Sequence, residues 1–260
     1  MNASERRRTI TELAKKNKEL TIEQLQLQFG VSDVTLRRDL DILESQGYLR
    51  RVRGGAVLNS SPQLEIRLQE KLGQNNALKR EIAKVAASLV EDGQVVMLSG
   101  GTTTQYIARE LCQKKDITIV TPAINIATEV VGYDTVNLVV IGGIVRRNSY
   151  VASGHMADEA LITMNADYAF VGVDGVDILA GFTTPNLMES RTDRTMLHTV
   201  TQPVIVADHS KFEKVAFSPV ARLDEVALLI TDSEAPENYI EQLQEAGCKV
   251  LSAHRNSSKF

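Results

Sequence analysis

The sequence of 260 residues predicts an α/β protein in which a small helical domain precedes a larger domain with an open, mostly parallel sheet. Two patterns predict this division. Residues 1–58 carry apolar side chains at the three- and four-residue spacing of amphipathic helices. Residues 76–260 alternate short, continuously apolar strands with helices, which is typical of a parallel sheet covered on both faces. Residues 59–75 are predicted to link the two, although a chain of this length could also form one large domain.

Caps and apolar spacing predict three short helices in the first domain. The first runs from Ser4 to Lys16. Thr21 opens a capping box ahead of the second, because its hydroxyl and the glutamine three residues later can satisfy each other's backbone amides. Gly30 supplies the turn that follows, and Ser32 caps the third helix. The buried stripe of the third helix comprises Leu36, Leu40 and Leu43.

A glycine-containing turn between the second and third helices is typical of a helix-turn-helix. Residues 48–53 then alternate like a strand, Gly54-Gly55 is a hairpin turn, and Ala56–Leu58 form the return strand. This hairpin adds a wing. The first domain is therefore predicted to be a winged helix-turn-helix.

A winged helix-turn-helix places its third helix in the major groove of double-stranded DNA, while the wing contacts phosphates or a minor groove. Two adjacent arginines on that helix and three on the wing suit this role. The alternative is a solvated helix face on which Arg38 pairs with Asp41 or Glu44. The predicted DNA contacts are Thr21, Ser32, Asp33, Val34, Thr35, Arg37, Arg38, Arg50, Arg51 and Arg53.

Charge is distributed unevenly along the chain. Residues 1–58 hold 11 Lys and Arg against 8 Asp and Glu, a balance of +3, and the remainder holds 18 against 25, a balance of −7. A basic module attached to an acidic body confines contact with DNA to one end of the chain, because the acidic part repels phosphate.

Cysteine usage and hydropathy exclude several classes of protein. Cys112 and Cys248 lie far apart beside apolar neighbours, so we expect two core residues rather than a disulfide or a metal site. The charged N-terminus has no apolar stretch after it, and no apolar run approaches a membrane span. We expect a soluble, cytoplasmic protein with no metal, no cofactor and no membrane partner.

Ligands of open parallel sheets bind beyond the carboxyl ends of the strands, so polar motifs at strand ends mark the candidate site of the second domain. One such motif, Ser99–Thr104, precedes a helix predicted from Gln105 to Leu111. Its glycines let the backbone approach an anion, and its hydroxyls and the helix amides supply donors. It lacks the lysine of a nucleotide-binding P-loop, and it could also be an ordinary turn. Strand candidates are 94–98, 117–120, 137–141, 168–171, 204–207, 226–230 and 249–251.

Two further strand ends carry charged side chains. Asp174 follows one strand, and Asp208, His209 and Lys211 crowd the loop after another. A lysine can pair with phosphate and an aspartate with sugar hydroxyls. The alternatives are a turn aspartate and a solvated Lys211–Asp208 pair. If the three loops converge on one sheet edge, they form a shared pocket. The predicted effector-binding residues are Gly100, Gly101, Thr102, Thr103, Thr104, Asp174, Asp208 and Lys211.

These motifs resemble the DeoR family of bacterial sugar-operon regulators. Residues 31–40 match that family's recognition-helix signature, and Arg50–Ala56 resembles its wing, although the family commonly has histidine in place of Arg53. The resemblance extends over nearly the whole chain. It implies a transcription factor, most often a repressor, that is modulated by a phosphorylated sugar. Helix-turn-helix proteins commonly bind repeated half-sites as symmetric homo-oligomers, and we expect a dimer or tetramer.

The second domain resembles the sensor domain of this family, which is similar in fold to pentose-phosphate isomerase and amino-sugar-phosphate deaminase. The resemblance implies that Gly101–Thr103 cradles the effector phosphate and that Asp208 and Lys211 contact the ligand. The family often has aspartate in place of Ser99 and asparagine in place of Pro122, so effector identity does not carry over. Further family positions are matched by Gly142, Gly143, Arg146 and Glu189.

The main alternative is an isomerase or deaminase with an added DNA-binding domain. Such chemistry needs a positioned base and acid. The deaminase relatives have a histidine soon after an Asp-Gly pair, whereas Val176 follows Asp174-Gly175 here and cannot carry a proton. His209 is then a single histidine on an exposed loop. We therefore expect binding without turnover. A second alternative is a winged helix that contacts protein rather than DNA.

Overall fold

A computed structural model of the chain describes residues 6–7, 9–10, 13–14, 17, 19–45, 49–52, 54–58 and 68–253. The chain forms two compact units, Met1–Leu64 and Glu65–Phe260. Residues 59–67 of the predicted linker lie outside the described ones, whereas residues 68–75 belong to the second unit. The domain boundaries at residues 58 and 75 stay a prediction. None of the helices described is both long enough and apolar enough to cross a membrane.

The first unit contains the helices and wing that the sequence predicts. Described residues between Arg6 and Asn17 are helical and bury Ile10 and Ala14. The following elements are β1 (Glu19–Thr21), α1 (Ile22–Phe29), α2 (Asp33–Ser45), β2 (Leu49–Val52) and β3 (Gly55–Leu58). The side chains that share its core include Leu20, Leu25, Leu36, Leu40, Leu43 and Leu49.

The predicted capping box and turn are confirmed. The backbone amide of Gln24 donates to Thr21 Oγ1 at 3.2 Å, and the amide of Thr21 donates to Gln24 Oε1 at 3.0 Å. Gly30 ends α1 with φ of 63°, a conformation that glycine adopts without strain. The hydroxyl of Ser32 accepts from the amide of Thr35 at 3.4 Å at the start of α2. The helix-turn-helix geometry therefore follows from these short-range signals.

The wing is part of a three-stranded antiparallel sheet with the order β1-β3-β2. The sequence predicts β2 and β3 but not β1, because three residues are too few to show an alternating pattern. Leu20 pairs with Ala56 across β1 and β3. A Cβ atom on Gly55 would lie 2.0 Å from the Leu20 carbonyl oxygen, so only glycine allows the two strands this approach. The extra strand fixes the base of the wing to the helical part of the unit.

A buried ion pair joins the N-terminal helix to α2. Arg6 Nε lies 2.6 Å from Asp39 Oδ2, and the two side chains are 10% and 5% exposed. Burying a single charge is costly, whereas a hydrogen-bonded pair offsets part of that cost. The pair therefore holds the helix that the sequence places first against the helix predicted to read DNA.

The second unit is an α/β domain whose elements alternate along the chain. Its helices are α3 (Leu68–Lys71), α4 (Asn76–Ser88), α5 (Thr102–Leu111), α6 (Ile124–Val130), α7 (His155–Ile162), α8 (Leu187–His198) and α9 (Glu237–Glu245). Its strands are β4 (Val95–Leu98), β5 (Ile117–Thr121), β6 (Val136–Val140), β7 (Ile144–Val145), β8 (Ala152–Ser153), β9 (Ala166–Gly172), β10 (Gly175–Asp177), β11 (Gly181–Thr184), β12 (Val200–Val206), β13 (Ser218–Ala221), β14 (Leu228–Thr231) and β15 (Val250–Ser252).

Seven of these strands form a parallel sheet with the order β15-β14-β12-β9-β4-β5-β6, which confirms the predicted fold class. The seven strand candidates from the sequence all fall on these strands. Alternate residues pack on opposite faces: Met97 joins one core with α8 and α9, and Val96 and Leu98 join a second core with α4 and α5. Strands buried on both faces read as continuous apolar runs, which is why the sequence reveals them.

The direction of the chain across the sheet reverses between β4 and β9. Strands β4, β5 and β6 progress towards one edge, and β9, β12, β14 and β15 progress towards the other. Such a reversal opens a crevice at the carboxyl ends of the strands, because the loops on its two sides turn in opposite directions. Smaller antiparallel units, β10-β11-β13 and β7-β8, complete the domain.

The apolar spacing of the sequence predicts a largely helical segment over Leu64–Val90, with Ile82, Val85, Ala86 and Leu89 on its inner face. The described part is largely helical, but it is divided into α3 and α4 by a turn over residues 72–75. Asn75 adopts φ of 53° at this break. The buried face of α4 includes Ile82 and Ala86 as predicted, together with Lys79.

We predict that Asp39→Asn lowers the free energy of unfolding of the first unit by about 3–5 kcal/mol, because it leaves the Arg6 guanidinium buried without its counter-ion. Asp41→Asn is the matched control, since Asp41 is 66% exposed and its contact with Arg51 is 3.6 Å long. We expect that change to cost under about 1 kcal/mol. Urea titrations of the two variants followed by circular dichroism measure the difference, and equal effects would contradict the prediction.

Candidate functional site

Loops that follow β4, β9 and β12 surround an open cavity of about 880 Å³, counted with its mouth. The structure brings the whole predicted effector set together at this cavity, which is lined by Gly100, Gly101, Thr102, Thr103, Thr104, Asp174, Asp208 and Lys211. Their role in binding stays a prediction. Wall residues that the sequence analysis did not select include Lys71, Asn75, Lys79, Ser149 and Asp193.

The loop after β4 has the geometry of an anion site. Gly101 has φ of 141°, and a Cβ atom on Gly100 would lie 2.1 Å from Val151 Cγ2, so both positions require glycine. Helix α5 begins at Thr102, three residues before its predicted start at Gln105. Threonine is a weak helix former, so the sequence pattern does not reveal this first turn of the helix. The amides of the first turn have no carbonyl one turn earlier and are available to an anion.

Three charged side chains meet at the loop after β9. Lys71 Nζ lies 2.6 Å and Lys211 Nζ lies 3.2 Å from the same oxygen, Asp174 Oδ1. Burial alone would raise the pKa of Asp174, but the two lysines lower it to about 2. Lys211 therefore pairs with Asp174 and not with Asp208, which was the alternative left open by the sequence. An anion that enters the cavity can compete with Asp174 for both ammonium groups.

Asp208 fixes the loop after β12. Its Oδ1 atom accepts from the amide of Ser210 and from Asn75 Nδ2, both at 3.1 Å. Burial would raise the pKa of this carboxyl group, whereas these two hydrogen bonds and the charges of Lys211 and Lys79 lower it. Asp208 is 2% exposed, so its ionised carboxylate is held rigidly at the cavity wall.

Lys79 is a cavity residue that the sequence analysis missed. Its ammonium group donates to the carbonyl oxygens of Gln74 at 2.6 Å and Lys71 at 3.1 Å. Burial lowers its pKa, and the charge of Asp208 counteracts this effect. A signal was present in the sequence, because a lysine three residues before Ile82 lies within the apolar stripe of a helix. Through these two hydrogen bonds the Lys79 side chain stabilises the turn between α3 and α4.

Helix α8 brings two acidic side chains to the cavity. Asn186 caps the helix, accepting from the amides of Met188 and Glu189. Glu189 accepts from Arg146 and from the hydroxyl of Ser149. Asp193 lies one turn later and is 6% exposed. Burial is the main cause of its raised pKa, and the nearby charges of Glu189 and Asp174 raise it further. Its carboxyl group therefore ionises at a higher pH than that of an ordinary aspartate.

His209, which the sequence places on an exposed loop, is half-buried and has a structural role. Its ring Nδ1 lies 3.1 Å from Asp232 Oδ1, and its backbone amide donates to Asp232 Oδ2 at 2.7 Å. Asp232 is fully buried, and His209 is absent from the described cavity lining. Val176 is buried in the core, and Cys112 and Cys248 are buried free thiols as predicted. The histidine therefore supports the loop rather than the cavity wall.

Helix α2 exposes side chains predicted to contact DNA. Val34 is 77% exposed, and Arg38 is exposed without a hydrogen bond or ion pair to another described residue. Arg37 pairs with Asp33 one turn earlier at 2.9 Å. Ser32 Oγ and Thr35 Oγ1 lie 2.9 Å apart at the first turn. This face therefore presents the Arg38 guanidinium group, which has no partner among the described residues, beside the paired guanidinium group of Arg37.

The wing arginines are described only in part. Arg51 Nη1 donates to the Arg37 carbonyl oxygen at 3.5 Å and lies 3.6 Å from Asp41. The suggested Arg38–Asp41 pair is not seen, and the Glu44 side chain lies outside the described part of the chain. So do Arg53 and the side chain of Arg50. Thr21 uses its hydroxyl in the capping box, so Thr21 and Arg51 both have structural contacts beside the predicted contact with DNA.

We predict opposite pH profiles for two cavity variants. The pKa of Asp193 is raised in the folded protein above the ordinary value of 3.8 that we assign to the unfolded chain. Above that pH the unfolded chain releases a proton that the folded chain keeps, so the free energy of unfolding falls as pH rises. Asp193→Asn should therefore stabilise the protein more at pH 7 than at pH 4. The pKa of Asp174 is lowered to about 2, so its contribution is complete above pH 3.8 and lost towards pH 2. Asp174→Asn should destabilise the protein most above pH 4. Unfolding free energies between pH 3 and pH 8 test both signs.

Family models of two domains match the chain. The DeoR-like helix-turn-helix domain matches residues 6–62, and the DeoR C terminal sensor domain matches residues 74–233. The solved ribose 5 phosphate isomerase A of Neisseria gonorrhoeae is 16% identical with a TM-score of 0.41, covering 55% of this chain and 56% of its own.

Three curated proteins are similar over almost their full lengths. A putative aga operon transcriptional repressor of Escherichia coli O157:H7 is 33% identical over 95% of this chain and 93% of its own. The HTH-type transcriptional regulator GlpR of Haloferax volcanii is 35% identical over 96% and 98%. The HTH-type transcriptional repressor GlcR of Bacillus subtilis is 31% identical over 100% of both. The chain therefore belongs to the DeoR family of DNA-binding transcriptional regulators.

Proposed function

We propose that this chain represses a carbohydrate operon and that a phosphorylated sugar, bound in the cavity of the second unit, changes its affinity for the operator. The observation that carries this proposal is the meeting of a glycine-threonine loop at a helix N-terminus with Lys71 and Lys211 on one cavity wall. Two similar proteins are named as transcriptional repressors, which favours repression over activation.

The cavity has separate chemistry for the two ends of a sugar phosphate. Phosphate needs amide donors and cations, which the first turn of α5 and the lysines supply. Sugar hydroxyl groups need carboxylates and hydroxyls, which Asp208 and Ser149 supply. A phosphate that takes Lys71 and Lys211 from Asp174 also frees that carboxylate for a hydroxyl group. This exchange supports a polar, anionic ligand of the size of a sugar phosphate.

We propose binding without turnover. Two observations support it: Val176 occupies the position after Asp174-Gly175 at which the deaminase relatives have a histidine, and His209 is bound to Asp232 and is not among the residues that line the described cavity. Incubation of the purified protein with phosphorylated sugars, followed by analysis of products, tests this proposal, and clear turnover would refute it.

For the first unit we propose contact with operator DNA through α2 and the wing, as a homo-oligomer on repeated half-sites in the cytoplasm. Symmetric oligomers are the usual arrangement for helix-turn-helix regulators, since two-fold protein symmetry matches palindromic operators. The exposed guanidinium of Arg38 supports the proposal, because a cation without a counter-ion among the described residues gains most from a DNA partner.

We predict that Arg38→Ala and Arg37→Ala each weaken operator binding by about 1–3 kcal/mol, which is roughly ten- to hundredfold. Arg222→Ala is the matched control, because this exposed arginine lies in the second unit and pairs with Asp224. Gel-shift titrations at several salt concentrations measure the effect. For wild type, log affinity should fall with log salt by about 0.9 per phosphate contacted. Weak salt dependence would favour a winged helix that contacts protein instead.

We predict that Lys211→Ala keeps operator affinity but loses the response to phosphorylated sugars, since it removes one of the two ammonium groups at Asp174. Lys84→Ala, an exposed lysine on α4, is the control. Release of labelled operator is followed while glucose 6-phosphate, fructose 6-phosphate or ribose 5-phosphate is added. A normal response of the Lys211 variant at wild-type concentrations would show that the cavity is not the effector site.

A further inference from the structure

Asp193 differs from the other acidic residues that line the described cavity. Asp174 is held by two lysines, Asp208 by Asn75 and a backbone amide, and Glu189 by an arginine and a serine hydroxyl. Asp193 is 6% exposed and lines the cavity, but forms no hydrogen bond or ion pair with a described residue. A buried carboxyl group without a partner among the described residues thus lines the space that a ligand would fill.

Burial of a polar group without a hydrogen bond is costly, and native proteins rarely leave one in that state. Asp193 has no counter-ion among the described residues, and the charges that act on its pKa are those of Glu189, on the same helix, and Asp174. Burial, followed by repulsion from these two carboxylates, raises the pKa of Asp193 and so disfavours its ionisation. A neutral carboxylic acid carries one O–H donor and an acceptor oxygen, the pair of functions that complements a hydroxyl group.

We propose that Asp193 is the specificity-determining contact of the cavity, where its buried, unpartnered carboxyl group exchanges hydrogen bonds with an uncharged hydroxyl or carbonyl oxygen of the sugar. The phosphate lies at the Gly101–Thr103 loop and the lysines. This inference rests on the proposed function and deepens it: the ligand's phosphate-free end is uncharged, and an ammonium group at that end is disfavoured because it would require Asp193 to ionise.

The chemistry of the contact distinguishes three substitutions. Asp193→Asn keeps a donor and an acceptor in nearly the same shape but cannot ionise. Asp193→Leu keeps the branching at Cγ without polar atoms but is larger, and Asp193→Ala is a smaller second variant in case leucine prevents folding. Removal of an unpartnered buried acid should leave the thermal unfolding temperature of the ligand-free protein equal to or above that of wild type, so lost binding can be separated from lost folding.

The experiment measures dissociation constants by calorimetry for the full chain. The probes are inorganic phosphate, glucose 6-phosphate, fructose 6-phosphate, ribose 5-phosphate and glucosamine 6-phosphate. For the sugar phosphate that wild type binds most tightly, we expect Asp193→Leu to weaken binding about ten- to hundredfold, the usual effect of a lost buried hydrogen bond. Its affinity for inorganic phosphate should stay within about threefold of wild type. Asp193→Asn should keep both affinities within about threefold.

The outcomes separate the inference from the function it rests on. If no sugar phosphate binds wild type, the proposed function fails and the Asp193 contact fails with it. If wild type binds a sugar phosphate, and both apolar variants still bind that sugar phosphate more tightly than inorganic phosphate by the same factor as wild type, the Asp193 contact is refuted and the proposed function is not. If glucosamine 6-phosphate binds most tightly and Asp193→Asn loses as much as Asp193→Leu, the group acts as a carboxylate ion and the neutral contact is refuted.

Discussion

Strands β4, β9 and β12 lie side by side at the centre of the seven-stranded sheet, and the candidate site depends on this order. Parallel pairing aligns their carboxyl ends, so three loops far apart in the sequence open onto one cavity. Ser99 reinforces the alignment, because its hydroxyl accepts from the amide of Gly172 at 3.0 Å at the ends of β4 and β9. Without this register the glycine loop, Asp174 and Lys211 would not meet.

Within the cavity, protonation follows from the partners of each carboxyl group. Asp174 has a pKa of about 2 because two ammonium groups share one of its oxygens. Asp193 has a raised pKa because burial and two carboxylates surround it. One wall thus combines fixed charges with anion donors, and α8 adds a carboxyl group with a raised pKa. Such a division suits a ligand with one ionic end and one polar, uncharged end.

The sequence predicts those parts of the protein that have strong local signals. Continuous apolar runs predict the seven parallel strands, and Thr21, Gly30 and Ser32 predict the helix-turn-helix through their caps and turn. Signals that depend on tertiary contacts were missed. Strand β1 needs β3 as a partner, and Asp193 becomes distinctive only beside Glu189 and Asp174.

The segment over residues 68–79 supplies Leu68, Lys71, Gln74, Asn75 and Lys79 to the cavity wall, and it is also the first described part of the chain after the connection to the first unit. Two side-chain hydrogen bonds hold this segment in place, from Lys79 to the Gln74 carbonyl oxygen and from Asn75 to Asp208. A molecule that bound in the cavity would therefore act on the same side chains that hold the turn between α3 and α4. Occupancy of the cavity and the stability of this segment are linked by mass action, because a ligand that binds only the folded wall stabilises it.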